Sequence, residues 1–140
     1  MADIWYYNNT YLAYTKQLNF NSDTKKVMLL NNSYVPNSGH SQLSDISGYE
    51  VINGNGYTTG GVTVTGLCEL QPSQTNIKLD IENPSWIASS GDIGPFRYAV
   101  LYDQTINCLI YGFDFESTQT AISGSNIIIN IDPSGLVTIG

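Results

Sequence analysis

Catalysis needs groups that exchange protons, hold metals or attack electrophiles, and this chain is short of them. It has one histidine, His40, and two cysteines, Cys68 and Cys108, in 140 residues. His40 lies in the polar run Asn37-Ser38-Gly39-His40-Ser41, followed by Asp45. Nucleophilic catalysis would need Ser41, His40 and Asp45 held together, and nothing here marks a nucleophile elbow. The expectation is a histidine that orders a loop. Neither cysteine has a CxxC neighbour, and each falls in a strand-like run. Two buried thiols are expected, with a bridge only if their strands face each other. Asp114 and Glu116 alternate along a strand-like segment and would share one face. A glycosidase uses such a pair of carboxylates, but solvated strand-end charges are the commoner cause of this spacing. The glycines at 54, 56, 60 and 61 invite a phosphate-loop reading. It fails on detail: Thr59 stands where a dinucleotide loop needs glycine, and Val62 and Thr63 stand where a P-loop needs Lys and Ser or Thr. Tight turns leading into a strand at Val62 explain the glycines better. No metal cluster and no cofactor motif emerges.

Composition narrows the partners. Twelve acidic residues against five basic give a net charge of −7. Lys16, Lys25, Lys26, Lys78 and Arg97 are scattered, so the clustered cations that bind nucleic acid or an anionic membrane are absent. No apolar run approaches the ~20 residues of a membrane-spanning helix. The run Met1-Ala2-Asp3-Ile4-Trp5-Tyr6-Tyr7-Asn8-Asn9 carries neither the basic nor the apolar region of a signal peptide, so it is not read as one. Charged residues make up only 12%, and Asn, Ser, Thr, Gly and Tyr take their place. β-Branched and aromatic residues are plentiful, which argues for a folded chain.

Strand periodicity dominates from Lys25 onward. Lys25 to Leu30 is a β-rich run, and Val62 to Thr65 alternates Val with Thr. In Asn76 to Glu82, Ile77, Leu79 and Ile81 point one way and Lys78, Asp80 and Glu82 the other, predicting one buried face. Phe96 to Tyr102 and Cys108 to Phe115 read as an antiparallel hairpin across a loop at 103–107, with Gly112 marking a bulge or a close approach. Asn126 to Ile131 is apolar on both faces, which predicts a central strand. Asp132, Pro133, Ser134 and Gly135 fit a type I turn before a last strand at Leu136 to Ile139. Asn9 to Leu18 has the spacing of one amphipathic helix, although its Thr and Tyr residues suit a strand or an extended arm nearly as well. Ser44 to Ser47 could start a single turn. The expected fold is all-β, an antiparallel β-sandwich or Greek-key barrel over residues 22–140. Residues 1–21 would add at most one short helix, an arm or an edge element.

With chemistry scarce, the aromatics carry the functional expectation. Trp5, Tyr6 and Tyr7 cluster near the N-terminus, followed by Tyr11 and Tyr14. Tyr and Trp bury much area at low entropic cost and are enriched at contact surfaces. These five form the candidate interface. They would sit either on an arm that anchors on a neighbouring subunit or on an edge strand of the chain's own sheet. Tyr98, Tyr102 and Tyr111 lie in the hairpin and read as core, with a sugar-stacking platform as the alternative.

Several segments, taken in order, resemble a family of small virion proteins of tailed bacteriophages. They are Lys26-Val27-Met28-Leu29-Leu30, Ser33-Tyr34-Val35-Pro36-Asn37, His40, Leu43-Ser44-Asp45-Ile46, Glu50-Val51, the run from Gly54 to Gly61, Arg97-Tyr98-Ala99-Val100-Leu101-Tyr102 and the closing hairpin. The resemblance runs from about Phe20 to the C-terminus; Trp5 to Asn21 and Ile81 to Trp86 depart from it. It implies a non-catalytic virion component, made in the host bacterial cytoplasm and located on the particle, foremost a head decoration or cement protein. Such a protein would contact the major capsid protein or other virion proteins, in many copies or as a homo-oligomer. A minor tail protein or a carbohydrate-binding host-adhesion module is the rival.

Overall fold

The computed structural model describes residues 3–72, 76–133 and 135–139. The fold is all-β with one short helix near the N-terminus, as the periodicity predicts. In chain order the elements are β1 (Ile4–Trp5), α1 (Tyr7–Tyr14), β2 (Lys25–Leu30), 3-10 turns at Leu43–Asp45 and Ser47–Tyr49, β3 (Val62–Val64), β4 (Gly66–Leu70), β5 (Ile77–Ile81), β6 (Ser85–Ile87), β7 (Ile93–Asp103), β8 (Cys108–Ala121), β9 (Asn126–Ile128) and β10 (Val137–Ile139).

The framework is a five-stranded antiparallel sheet in the order β1-β8-β7-β2-β3. Its middle strands are apolar on alternate and intervening positions alike, so both faces must be covered. Val27, Leu29, Ala99, Leu101, Ile110 and Phe113 face one core. That core is closed by Leu79 and Ile81 of the β10-β5-β4 sheet, and by Trp86 and Ile127 of the β6-β9 pair. The arrangement is sandwich-like. Met28, Leu30, Tyr98, Val100, Tyr102 and Leu109 face the other way. Among the described residues no sheet covers them. The 31–49 segment does so with Tyr34 and Ile46, backed by Leu43 and Tyr49. Each fully buried Leu or Ile contributes roughly 1.5–3 kcal/mol, so leaving either face bare would be costly.

Several expectations hold with adjusted limits. The β7–β8 hairpin extends beyond the predicted runs at both ends, and its turn spans 104–107. In β5, Leu79 and Ile81 are buried, whereas Ile77 at the strand end is exposed. The turn after β9 is closed by Gly135 N–H donating to Asp132 O at 2.7 Å; Ser134 lies outside the described residues. Gly112 accommodates a close approach: an added Cβ would stand 3.1 Å from the Tyr6 hydroxyl.

Three expectations are corrected. Asn126 to Ile131 is not a central strand. Only Asn126–Ile128 forms a strand, paired with β6, with Ile127 inward and Ile128 exposed. Ile129 N–H still donates to Pro84 O at 2.9 Å, and beyond it Ile131 N–H turns to the Asn83 side chain at 2.8 Å. Asp114 and Glu116 do not share a regular strand face, because Glu116 adopts φ 69° and folds its N–H back onto Asp114 Oδ1 at 2.8 Å. Of the two expected buried thiols, Cys108 is buried but Cys68 is only partly so, and both are free.

The glycine-rich segment makes backbone turns. Gly54 and Tyr57 exchange N–H···O bonds of 2.7 and 3.0 Å. Gly61, at φ 86°, brings the chain against β2, where an added Cβ would stand 1.8 Å from Val27 O. Replacing Gly61 with Ala should therefore destabilise the fold by about 2–4 kcal/mol. Gly48→Ala, with no atom within 4 Å of the added carbon, should stay within about 0.5 kcal/mol. Urea denaturation of the two variants checks this.

Candidate functional site

The N-terminal segment is placed by a defect in the large sheet. Between the pairs Leu101↔Tyr111 and Tyr102↔Leu109 the register shifts, and Ile110 is the extra residue. A bulge of this kind bends its strand and leaves backbone groups unpaired in the ladder. The freed Ile110 carbonyl accepts from Tyr6 N–H at 3.2 Å and from the Asn9 side-chain amide at 3.2 Å. The same amide also donates to Tyr6 O. β1 pairs with β8 just beyond the bulge, through Ile4↔Gly112 and Trp5↔Tyr111. Trp5 Nε1 donates to Thr10 Oγ1 at 2.9 Å, tying strand to helix. Of the two readings of the N-terminus, Ile4–Trp5 is thus an edge strand of the chain's own sheet.

The helix is not amphipathic in the expected sense. Its one buried residue is Asn9. Tyr7, Tyr11 and Tyr14 recur at helical spacing and are 68, 63 and 84% exposed. Helix α1 carries no charged residue. The five candidate interface residues therefore divide. Tyr7, Tyr11 and Tyr14 form an exposed aromatic face. Trp5 is half-buried beneath it. Tyr6 is 0% exposed, with its hydroxyl 2.9 Å from that of Tyr34, so it is core and leaves the set. Its neighbour in sequence, Tyr7, shows why composition alone could not separate them: they part only because β1 ends and the helix turns there.

Behind the helix lies an open cleft of about 560 Å³, between α1, the 16–21 segment and the β4–β5 edge. Sequence reasoning missed it because it is assembled from segments far apart in the chain. Trp5, Ala13, Leu18, Phe20, Leu79 and Ile110 supply its apolar walls. Tyr14 belongs both to the cleft and to the exposed face. Asn21 supports the 16–21 wall, its Oδ1 accepting from Cys68 N–H on the edge of β4 at 2.7 Å.

The other candidate residues are engaged in structure. His40 Nδ1 lies 2.9 Å from the Tyr34 hydroxyl, and the Asp45 carboxylate caps Ser41 N–H at 2.9 Å and Gln42 N–H at 3.1 Å. Those two backbone bonds hold Asp45 below the usual carboxylate range. Tyr98 and Tyr102 are buried and Tyr111 is half-buried, as the core reading expected, so the hairpin offers no sugar platform. A second cleft of about 400 Å³ includes Asp3, Asp114 and Asp132 in its lining. Asp3 accepts from the Tyr111 hydroxyl at 2.7 Å, and Asp114 pairs with Arg97 at 3.1 Å. Burial pulls Asp114 upward, but the Arg97 and Glu116 N–H bonds outweigh it and hold the carboxyl low. It is therefore not the protonated acid a glycosidase requires. Among the described residues no group of His, Cys, Asp or Glu is arranged to hold a metal ion.

One carboxyl is shifted strongly upward, and it is out of reach of solvent. Asp103 is 0% exposed, with Oδ1 accepting from Ile106 N–H at 3.2 Å and Oδ2 lacking any donor. Burial first, then the neighbouring Asp23 carboxyl, push its pKa up to about 7. The groups around it are Asp23, the thiol of Cys108 and the buried Lys25 ammonium. Lys25 donates to Asp23 O at 2.7 Å and lies 5.2 Å from the centre of the Phe20 ring. Burial lowers the Lys25 pKa, against the opposing pull of Asp103 and Asp23.

No protein family, curated protein or solved structure matches this chain.

Two outcomes follow. Asn9→Ala removes the amide that joins α1 to the bulge and should lower stability by about 1–3 kcal/mol, with faster amide exchange in the helix than in β7. For Asp103, the folded protein keeps a proton that the unfolded chain has lost above about pH 4. More protons are then bound folded than unfolded, so this group's contribution falls as pH rises from about 4 to about 7. Melting curves of Asp103→Asn and the parent across that range should show the parent losing stability relative to the variant.

Proposed function

We propose that this chain is a non-catalytic structural protein of a tailed-bacteriophage particle, docked in many copies on the head through the tyrosine face of α1. The observation that carries this reading is the exposure of Tyr7, Tyr11 and Tyr14 on an uncharged helix bonded to the sheet at both its flanks. Large rings at this exposure contribute nothing to the chain's own core. They have two side-chain torsions each and lose little entropy on contact. Covering them with a partner removes apolar area from water without requiring charge pairing, which suits a domain of net charge −7.

The resemblance described above supports the particle and the head as the place of action. Repetition supports the mechanism. A face of this size is modest beside the ~800 Å² per partner of a standard stable interface. Many copies on a lattice, or copies linked to one another, raise the overall hold far beyond that of one contact. Asp45, Asp114, Asp103 and His40, for their part, are engaged in a loop cap, an ion pair and buried contacts, which favours contact over catalysis.

The test is co-sedimentation of purified protein with virus particles that lack it. The triple variant Tyr7→Ser, Tyr11→Ser, Tyr14→Ser should melt within a few degrees of the parent yet bind particles at least tenfold more weakly. Undiminished binding would remove the tyrosine face from the interface, and binding only at the tail would remove the head assignment. Retention on a glycan array with loss in the triple variant would favour the host-adhesion alternative instead.

A further inference from the structure

The cleft behind α1 differs in its chemistry from the second cleft, which is lined by Asp3, Asp114 and Asp132. The chain has twelve acidic residues, and none lines this cleft. Its one charged lining residue is Lys16, at the end of the helix. Lys16 adopts φ 64°, and its N–H donates to Ala13 O at 3.3 Å, which fixes where the side chain leaves the backbone. The ammonium has no hydrogen-bond or ion-pair partner among the described residues. The cleft is thus a mainly apolar hollow whose lining holds one cation, unpaired among the described residues, on a protein of net charge −7.

The hollow is also continuous with the exposed aromatic face, because Tyr14 belongs to both. A surface lying across Tyr7, Tyr11 and Tyr14 meets the mouth of the cleft at its edge. Being open rather than enclosed, the cleft suits a group delivered on a partner's backbone better than a free small molecule, which would be enclosed more fully.

We propose that the cleft is a socket: on docking, a particle subunit inserts one apolar side chain between Ala13, Leu18, Phe20 and Leu79 and sets a carboxylate against Lys16. This rests on the docking role proposed above and names the chemistry of the partner. The apolar insertion supplies the hold. The carboxylate supplies register, since an exposed pair adds little affinity but penalises wrong charge.

Cys68 makes the socket testable. It lines the cleft and is partly exposed, whereas Cys108 is fully buried, so a thiol reagent applied to the folded protein marks Cys68. The experiment compares the unmodified chain with the chain carrying N-(1-pyrenyl)maleimide on Cys68, each sedimented with virus particles that lack the protein. The pyrene should fill the cleft and weaken binding at least tenfold, while the melting temperature stays within a few degrees. Lys16→Glu should weaken binding about fivefold, with Lys16→Gln in between. On the unmodified chain, Cys68 should react with N-ethylmaleimide when free and resist it when bound, a readout that does not depend on any variant folding. If the pyrene adduct binds as well as the parent and bound Cys68 stays reactive, the socket is overturned and the docking role survives. If Lys16→Glu binds as well as the parent, the carboxylate is overturned. If the unmodified chain does not bind particles at all, the socket and the docking role fall together.

Discussion

The structure depends on one constraint: strands β2, β7 and β8 are apolar on both faces, so the sheet they form must be covered twice. One cover is made in the expected way, by two smaller sheets bringing Leu79, Ile81, Trp86 and Ile127 onto Val27, Leu29 and Leu101. The other is made from a segment with almost no regular structure, which brings Tyr34 and Ile46 onto Met28, Leu30 and Val100. That segment must satisfy its own backbone groups, and Asp45, Asn31 and Asn37 do so by capping neighbouring N–H groups. His40 belongs to this system, against the Tyr34 hydroxyl, and its role is to order the cover.

A local irregularity sets an exposed aromatic surface on this scaffold. The extra residue at Ile110 frees one carbonyl, and that carbonyl receives both Tyr6 N–H and the Asn9 amide. An eight-residue helix is too short to be stable alone in water. Here it is held by the bulge from below and by Trp5 to Thr10 at its side, so it need not bury an apolar stripe. Its tyrosines are left outward, and the gap between helix and small sheet becomes the cleft. The placement of the helix, and with it the tyrosine face and the cleft, thus follows from the extra residue in β8.

Much of this scaffold was legible in the residues. The runs Lys25 to Leu30, Asn76 to Glu82 and the long hairpin announced themselves through alternation, and Gly112 marked a close approach before its neighbour was known. What failed did so for physical reasons. Asn126 to Ile131 looks central because it is almost wholly apolar, yet only alternate isoleucines face the core and a proline-bounded partner limits the pairing. Tyr6 and Tyr7 are chemically identical, and only the end of β1 decides which is buried. The bulge at Ile110 leaves no mark in composition, since no glycine announces it. The cleft is lined by residues as distant in the chain as Ala13 and Leu79, which no local pattern brings together. The tyrosines were legible as interface candidates; their division into core and surface was not.

The central claim is that the tyrosine face of α1 is the surface by which this protein is held on a particle. A reconstruction of the virus particle at side-chain resolution tests it most directly. The account predicts repeated copies of this domain on the outside of the head, each with α1 turned toward the shell and Tyr7, Tyr11 and Tyr14 in contact with it. Copies bound through the β3 or β4 edge with α1 facing solvent, or a particle in which the domain has no place, would contradict it.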